Sequence, residues 1–316
     1  VGDSLDLLPL ADARTRTIDA RDKIVLPGFV DAHTHAVFAG DRADEFERRL
    51  QGASYLEIQK AGGGIMSTVR ATRAASLEEL VAQSRARLDT MLAHGTTTAE
   101  VKTGYGLDTV TELKMLDAIA ALDATHAIDL VPTFLGAHVV PEEFKGRADE
   151  YVNRVVEEML PAIDARRRTK DERSSFALRP SLFCDVFCDE GAFTLEQTRR
   201  ILTRARELGW GLRVHADEFA NLGAASLAAE LSAASADHLM VTRRDEMRAM
   251  ARANVVEVLL PGNTFGLGKT NFADGRAFVE ENVPVALASD LNPGTAWCES
   301  MPFIIALACR YEKLTP

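Results

Sequence analysis

Short apolar runs rich in β-branched residues alternate with amphipathic helical patterns along most of the chain, and this alternation is the strongest constraint on its fold. Eight runs predict strands, at residues 24–33, 96–104, 129–138, 181–190, 211–218, 235–240, 255–260 and 284–290. Strands separated by helices are typical of parallel β-α-β units. Because 316 residues suit one large domain of this kind, we predict an α/β fold in which the strands close into a (β/α)8 TIM-type barrel.

Two of the intervening segments carry clear start signals for helices. Ser76 and Glu79 have the spacing of a capping box, and Thr194 and Gln197 repeat it. In each segment the apolar residues recur with helical period, and a glycine precedes the next predicted strand. An open doubly wound sheet is the alternative fold. Its dinucleotide fingerprint G-x-G-x-x-G is absent after the first strand, where FVDAHTH stands.

Two segments depart from this rhythm. Residues 1–24 include LADARTRTIDARDK, a polar stretch that predicts an edge strand and a turn. Residues 166–175 are charged and nearly free of apolar side chains, which is typical of a solvated surface insertion.

The bulk composition argues against several classes of partner. A net charge of −11 disfavours nucleic acid and anionic membrane surfaces, so a small-molecule substrate is expected. Four cysteines without C-x-x-C spacing suggest neither a disulfide framework nor structural zinc. No apolar run approaches the roughly 20 residues that a membrane-spanning helix needs, and no leader pattern is seen. We expect a cytoplasmic protein.

Polar residues gather at the predicted strand ends, where barrels of this type place their active sites. A single histidine there is more often a core or surface residue, but five of the seven histidines occupy such positions. Buried imidazoles need hydrogen-bond partners, so packing alone rarely brings several together. The strand-end residues are His33, His35, Tyr105, His138, Glu190, His215, Glu218, His238, Asp290 and Asn292.

The spacing H-x-H in an extended segment turns His33 and His35 to the same face. A third imidazole from His215 and a carboxylate from Asp290 would complete an N3O ligand set. That set suits zinc or iron and leaves a position for water. A bound cation would lower the pKa of this water to ~7 and generate hydroxide at neutral pH.

Two other motifs have weaker interpretations. NTFGLGKT resembles the end of a P-loop, but Asn263 stands where the motif needs glycine, so we interpret it as a loop over the barrel mouth. Lys102, near the end of the second strand, could bridge two metals after carboxylation. The fourth strand offers no lysine at its end, which favours a structural lysine that supports the site.

Six segments together resemble the amidohydrolase superfamily, and more closely the imidazolonepropionases of histidine degradation. The resemblance covers residue 17 or so to the end of the chain. The segments are VLPGFVDAHTHAVFAGDRADEFERRLQG, AGGGIMSTVRATR, HGTTTAEVKTGYGLD, PTFLGAHVVPEEF, FCDVFCDEGAF and PVALASDLNPGTAWCESM.

The resemblance implies hydrolysis of 4-imidazolone-5-propanoate to N-formimidoyl-L-glutamate with one iron or zinc ion. It carries the metal ligands to His33, His35, His215 and Asp290. It carries the substrate contacts to Arg42, Tyr55, Tyr105, His138, Glu218, Asn292, Gly294 and Thr295, with His238 completing the pocket. It also implies a homodimer, and a remnant of a small β-sandwich domain at residues 1–26 beside a barrel domain at 27–316, so the sandwich is incomplete in this chain.

The expected chemistry assigns roles to these side chains. An arginine with tyrosine and histidine donors can hold the propionate of the substrate by charge-assisted hydrogen bonds. Asp290 would be both ligand and proton acceptor, His238 would polarise the carbonyl, and Glu218 would relay a proton or hold the ring nitrogens. In an alternative assignment, His238 and Glu218 together are the general base for the water.

Two other functions compete with this one. Another amidohydrolase, such as a deaminase or a different cyclic amidase, would share the metal ligands but would not need Arg42 with Tyr105 and His138 for a neutral base. A non-catalytic scaffold derived from the family would be expected to lose metal ligands, and all four are present.

Overall fold

The computed structural model describes residues 4–52, 57, 62–168 and 182–315. At its centre eight parallel strands pair in sequence order, each with the next. The strands are β1 (Phe29–Asp31), β2 (Thr96–Lys102), β3 (Asp129–Ala137), β4 (Phe183–Cys188), β5 (Gly211–Ala216), β6 (Ser235–His238), β7 (Val256–Leu259) and β8 (Val285–Leu287). Each of the eight apolar runs predicted to form the barrel contains one of these strands.

The two edge strands meet just beyond their carboxyl ends and close the ring. Thr34 forms a parallel bridge with Leu291. The backbone N–H of Asp290 donates to His33 O at 3.1 Å, and that of His35 donates to Leu291 O at 2.8 Å. The predicted barrel is therefore confirmed, and its closing hydrogen bonds lie at the residues predicted to bind metal.

Helices connect the strands and cover the outside of the barrel. They are α1 (Ser4–Leu7), α2 (Ala43–Leu50), α3 (Ile65–Ala74), α4 (Leu77–Ala93), α5 (Thr109–Asp123), α6 (Ala148–Arg154), α7 (Leu160–Arg168), α8 (Leu195–Glu207), α9 (Ala224–Glu230), α10 (Arg244–Ala253), α11 (Pro261–Gly266), α12 (Gly275–Glu280) and α13 (Met301–Tyr311). A π-helical stretch, Val155–Met159, joins α6 to α7. Buried apolar side chains fill the layer between helices and strands, as expected for parallel strands that helices cover.

Both predicted capping boxes are present. The backbone N–H of Glu79 donates to Ser76 Oγ at 3.1 Å, and the N–H of Ser76 donates to Glu79 Oε2 at 2.8 Å. The equivalent pair at Thr194 and Gln197 has distances of 3.3 and 3.0 Å. Each box satisfies backbone donors that the first helical turn leaves free.

Several strands end earlier than the sequence predicts. Asp217, His238 and Leu239 have φ values of +53°, +79° and +53°, in the left-handed region. An extended ladder cannot continue through such a residue, so β5 and β6 end there. The apolar residues beyond these points belong to the loops of the barrel rim.

The N-terminal prediction is wrong in its local structure. Residues 4–10 form α1 and one 3-10 turn, and residues 11–28 contain no strand. Asp12 and Asp19 each accept a hydrogen bond from a backbone N–H two residues on, which favours local turns over strand pairing. The division into domains at residues 1–26 and 27–316 stays a prediction.

The charged segment at 166–175 begins inside a helix. Residues 166–168 form the last turn of α7, where Arg166 pairs with Asp117 at 3.1 Å and Arg167 pairs with Asp164 at the same distance. The remaining residues of the predicted insertion lie outside the described ranges.

Candidate metal centre and substrate pocket

Four histidines and one aspartate converge at the rim formed by the carboxyl ends of the strands. His33 and His35 follow β1, His215 lies in β5, His238 ends β6 and Asp290 follows β8. All five are buried, with none more than 4% exposed. The closed barrel therefore brings together residues that are up to 257 positions apart.

The predicted metal ligands fall into two overlapping groups, with His35 and Asp290 beside His33 in one and His215 beside His33 and His238 in the other. The ring centroids of His33 and His215 are 4.5 Å apart, and those of His33 and His35 are 5.3 Å apart. Asp290 Oδ1 lies 3.5 Å from Nε2 of both His33 and His35. Ligand atoms of His33, His35 and Asp290 all lie within 4.8 Å of one another, as do those of His33, His215 and His238. The two groups overlap at His33 and line one small volume.

The bonding state of the rings fits a cation in that volume. His33 Nε2, His35 Nδ1 and His215 Nε2 are buried and have no hydrogen-bond partner within the described residues. Burial lowers the pKa of His33 and His35 well below the usual range, aided by Lys102 beside His33 and by His138 beside His35. Neutral imidazoles with free nitrogens are costly to bury but are good metal ligands. Together with a carboxylate they form a donor set that a divalent ion satisfies.

Two aspartates that the sequence analysis missed stand behind these histidines. His33 Nδ1 lies 2.6 Å from Asp237 Oδ2, and His215 Nδ1 lies 2.8 Å from Asp185 Oδ2. Such carboxylates fix the tautomer and direction of a metal-binding imidazole. The sequence contained one signal, because each aspartate lies inside a predicted strand, where a buried charge needs a partner.

Lys102 lies below the histidines and is fully buried. Its Nζ is 2.8 Å from Asp185 Oδ2, 2.9 Å from Glu100 Oε1 and 3.6 Å from Asp237 Oδ2. Although burial opposes it, the charges of Asp185, Glu100 and Asp237 raise the pKa of Lys102. Carboxylation requires a neutral amine, so these contacts support a structural lysine and not a bridge between two metals.

His238 and Glu218 form a second pair on the same rim. His238 Nε2 lies 3.6 Å from Glu218 Oε2. Burial raises the pKa of Glu218 to about 8, with further contributions from the charges of Asp290 and Asp189, and burial lowers the pKa of His238 well below its usual value. At neutral pH the pair therefore offers a proton on Glu218 and a neutral imidazole on His238.

Asp290 accepts a hydrogen bond from Asn263, a residue that the sequence did not assign to the site. Asn263 Nδ2 donates to Asp290 Oδ2 at 2.8 Å and to Thr295 Oγ1 at 3.1 Å. Burial raises the pKa of Asp290 to about 6, and its φ of +53° turns the side chain out of the strand direction. The predicted loop at NTFGLGKT is wrong at its start, because Pro261, with its preset φ, begins α11 and carries Asn263 into the site.

The loop that carries Glu218 is fixed by Asp189. The two carboxylate oxygens of Asp189 accept hydrogen bonds from the backbone N–H groups of Glu190, Glu218, Phe219 and Ala220, at 2.7 to 3.0 Å. Glu190 was the residue predicted at this strand end. Glu190 is exposed, however, whereas Asp189 is only 2% exposed. The one-residue difference decides which side chain points inward.

Arg42 lies beside the loop that follows β8. Its guanidinium pairs with Glu45 at 2.8 Å, and the Arg42 side chain is 13% exposed. Glu45 Oε1 also accepts the backbone N–H of Gly64 at 2.9 Å. A Cβ at Gly294 would lie 2.5 Å from Arg42 Nη1, so glycine is needed there for the arginine to approach. Gly294 and Arg42, both assigned to the substrate by resemblance, are therefore neighbours in the structure.

Tyr105 and His138 complete one wall of the pocket. The Tyr105 ring is 5.8 Å from that of His35 and 5.4 Å from that of His138. His138 Nδ1 lies 3.0 Å from the carbonyl oxygen of Gly104, and burial lowers the pKa of His138 to about 3. The ring is therefore neutral with its proton on Nδ1, which leaves Nε2 as an acceptor.

The loop around Tyr105 is organised by another residue that the sequence analysis missed. Glu112 is fully buried and accepts the backbone N–H groups of Gly106 and Leu107 at 2.8 Å and of Gly104 at 3.2 Å. Three backbone donors on one carboxylate fix the path of the loop. Glu112 gave no signal in the sequence, because a helical position is where an ordinary solvent-facing glutamate is expected.

Asn292, one of the predicted substrate contacts, hydrogen-bonds mainly within its own loop. Asn292 Oδ1 accepts the backbone N–H groups of Gly294 and Thr295, both at 2.8 Å. Its Nδ2 donates to Asp290 O at 2.7 Å and to Thr295 Oγ1 at 2.9 Å. The Asn292 side chain thus shapes its own loop. Tyr55 lies outside the described residues.

Comparison with known proteins agrees with this geometry. The model of the amidohydrolase family matches residues 24–260. The imidazolonepropionase of Herpetosiphon aurantiacus is 55% identical over 301 residues, which cover 95% of this chain and 69% of the relative. The chain belongs to the amidohydrolase family, and within it to the imidazolonepropionases. The imidazolonepropionase of Chloroflexus aggregans is 52% identical, covering 98% of this chain and 73% of that protein.

Solved structures of two deaminases share the fold at low identity. A 5-methylcytosine deaminase from Klebsiella pneumoniae liganded with 5-fluorocytosine has a TM-score of 0.69 at 14% identity, covering 96% of this chain and 75% of that one. An adenosine deaminase from Xanthomonas campestris with bound zinc has a TM-score of 0.60 at 18% identity, covering 91% and 61%. Membership of the amidohydrolase family and the buried histidine and aspartate groups together indicate that this chain binds a metal ion. Among the described helices, none combines the length and apolarity needed to cross a membrane.

Proposed function

We propose that this chain hydrolyses the cyclic amide C–N bond of 4-imidazolone-5-propanoate, giving N-formimidoyl-L-glutamate. The observation that carries the proposal is the mostly buried guanidinium of Arg42 beside Gly294, four residues after the ligand Asp290. A substrate with a carboxylate at one end and a cyclic amide at the other fits a site with an arginine at one side and a metal ion at the other. A neutral nucleobase has no carboxylate that Arg42 could bind.

The contacts assign the two ends of the substrate to different side chains. Arg42 binds the propionate, and Glu45 holds the guanidinium in position through its 2.8 Å ion pair. His138 faces the ring, because its free Nε2 is an acceptor and suits a substrate N–H better than a carboxylate. In this proposal His138 accepts from the ring of the substrate and does not donate to the propionate. Tyr105, buried between His35 and His138, closes that side of the pocket.

We propose that His33, His35, His215 and Asp290 hold one iron or zinc ion. When bound, the ion activates water and polarises the amide carbonyl. Three imidazoles and one carboxylate suit both metals, so the choice follows metal supply.

The raised pKa values divide the proton transfers between two carboxyl groups. Asp290, with a pKa of about 6, accepts the proton released as water adds to the amide carbon. Glu218, with a pKa of about 8, donates a proton to the ring nitrogen that leaves. His238, 3.6 Å from Glu218, donates its N–H to the developing oxyanion. The protonated resting form of Glu218 supports this assignment over a joint general base made by His238 and Glu218.

Turnover of freshly prepared imidazolone propionate, followed by loss of its ultraviolet absorbance, tests the proposal when metal content is measured on the same sample. Cytosine and guanine are the matched neutral substrates. We expect turnover of imidazolone propionate alone, and Arg42→Met should raise its KM. Full metal loading without turnover, or deamination of a nucleobase instead, would refute the substrate assignment.

The homodimer implied by the resemblance stays a prediction. Sedimentation velocity of the chain at micromolar concentration tests it, and a single species of 34.4 kDa would contradict it.

A further inference from the structure

Lys102, a buried lysine, contacts the two aspartates that lie beside the proposed metal ligands His215 and His33. The Asp185 oxygen that contacts Lys102 Nζ at 2.8 Å also contacts His215 Nδ1 at 2.8 Å. The Asp237 oxygen that lies 3.6 Å from the same Nζ contacts His33 Nδ1 at 2.6 Å. A single ammonium group thus contacts the carboxylates that support His33, which follows β1, and His215, which lies in β5.

The same part of β2 also fixes the backbone between the paired histidines. The N–H of Lys102 donates to Thr34 O at 2.9 Å, and Thr34 Oγ1 donates to the carbonyl of Glu100 at 2.7 Å. The N–H of Thr34 donates to Glu100 Oε2 at 3.3 Å. Glu100 in turn pairs with Lys102 Nζ at 2.9 Å. The backbone of the H-x-H segment and the ring of His33 are therefore both held by groups that contact Lys102.

Within the part of the chain that the structure describes, no arginine and no other lysine forms an ion pair with Asp185 or Asp237. Arg213 approaches Glu100 at 3.9 Å and donates to Ala32 O at 3.1 Å, but it forms no ion pair there with Asp185 or Asp237. Without Lys102, Asp185 would keep the backbone N–H and the ring of His215, and Asp237 would keep the ring of His33, but neither carboxylate would retain its ion pair with a lysine. Two buried carboxylates repel each other when no cation lies between them, so we expect both to shift from these positions.

We infer that Lys102 is a positioning residue, which holds Asp185 and Asp237 so that His215 and His33 present their free nitrogens to one metal ion. The inference rests on the proposed function only in naming the ion as the cofactor of a hydrolase. It predicts that metal affinity depends on a residue that never contacts the metal.

The test is Lys102→Met, which keeps most of the side-chain length and removes the charge. Lys114→Met is the matched control, because Lys114 Nζ also has three partners, the carbonyls of Thr72, Arg73 and Ala75, but lies outside the site. Zinc affinity is measured by competition with a chromogenic chelator, and the visible spectrum of the cobalt-loaded protein reports ligand geometry. We expect Lys102→Met to bind zinc about 10- to 100-fold more weakly with an altered cobalt spectrum, and Lys114→Met to match the wild type.

A folded Lys102→Met protein with zinc affinity within twofold of wild type and an unchanged cobalt spectrum would overturn the inference. If Lys102→Met does not fold, Lys102→Gln, Asp185→Asn and the double variant Lys102→Gln/Asp185→Asn decide. Because the lysine acts partly through Asp185, the two effects on zinc affinity should combine to less than their product. Fully multiplicative effects would contradict the inference. Failure of wild-type turnover would refute the proposed function and leave these binding results unaffected.

Discussion

Replacing Asp189 by asparagine tests how the loop of Glu218 is held. Each oxygen of Asp189 accepts two backbone N–H groups, and Oδ2 accepts those of Glu218 and Phe219 at 2.8 and 2.9 Å. Asparagine keeps one oxygen and places an amide NH2 where the other stood. Whichever orientation it takes, two N–H donors lose their acceptor and face another donor.

The magnitude follows from those two bonds. A hydrogen bond to a charged group contributes roughly 1.5 to 3 kcal/mol, so two would contribute about 3 to 6 kcal/mol if water could not replace them. Because these N–H groups are only partly buried, water can replace part of this, and we expect a loss near the lower end, about 3 kcal/mol. At roughly 2.1 cal/mol/K per residue, that lowers the Tm of the chain by about 4.5 °C.

Asp189→Asn should also lower kcat/KM more than tenfold, because the displaced loop carries Glu218. Calorimetry measures the Tm, and the absorbance assay gives kcat and KM on the same preparation. Asp149→Asn is the control, since Asp149 is exposed and its oxygen accepts one side-chain N–H from Gln197, which asparagine can retain. If Asp189→Asn matched Asp149→Asn in both Tm and kcat/KM, the carboxylate would not be what holds the loop.

Three further outcomes are expected. Gly294→Ala should raise KM at unchanged metal content, because the new methyl group displaces Arg42; an unaltered KM would contradict the proposed propionate site. Asp290→Asn should leave the Tm within a few degrees and abolish turnover, and substantial residual activity would show that Asp290 is not the proton acceptor. Burial raises the pKa of Glu257 well above its usual value, with a further contribution from Glu312, so the stability that protonated Glu257 contributes should be lost as the pH rises above about 4.5, where this group ionises first in the unfolded chain. Glu257→Gln should therefore raise the Tm at pH 8 and change it little at pH 4, and an equal change at both values would refute the linkage.

Much of the architecture was predictable because its signals are local. About six consecutive residues are enough to recognise a strand from its alternating or continuous apolar pattern. Four residues are enough to recognise a capping box such as that of Ser76 and Glu79. The order of the strands then follows from the preference of sequential β-α-β units for parallel neighbours. Strand ends were less predictable, because residues such as His238 adopt a left-handed φ that only the surrounding packing imposes.

The sequence by itself determined that His33 and His35 share a face, since side chains alternate along any extended segment. It also determined that residues at strand ends would meet on one rim once a parallel barrel was assumed. Only the tertiary structure decided which buried charges are partners. The contacts of Lys102 with Asp185 and Asp237 join β2, β4 and β6, no two of which are adjacent. They exist because the closed barrel turns all three side chains toward one axis. Period-two alternation tells which way a side chain points, but it carries no information on what it meets there.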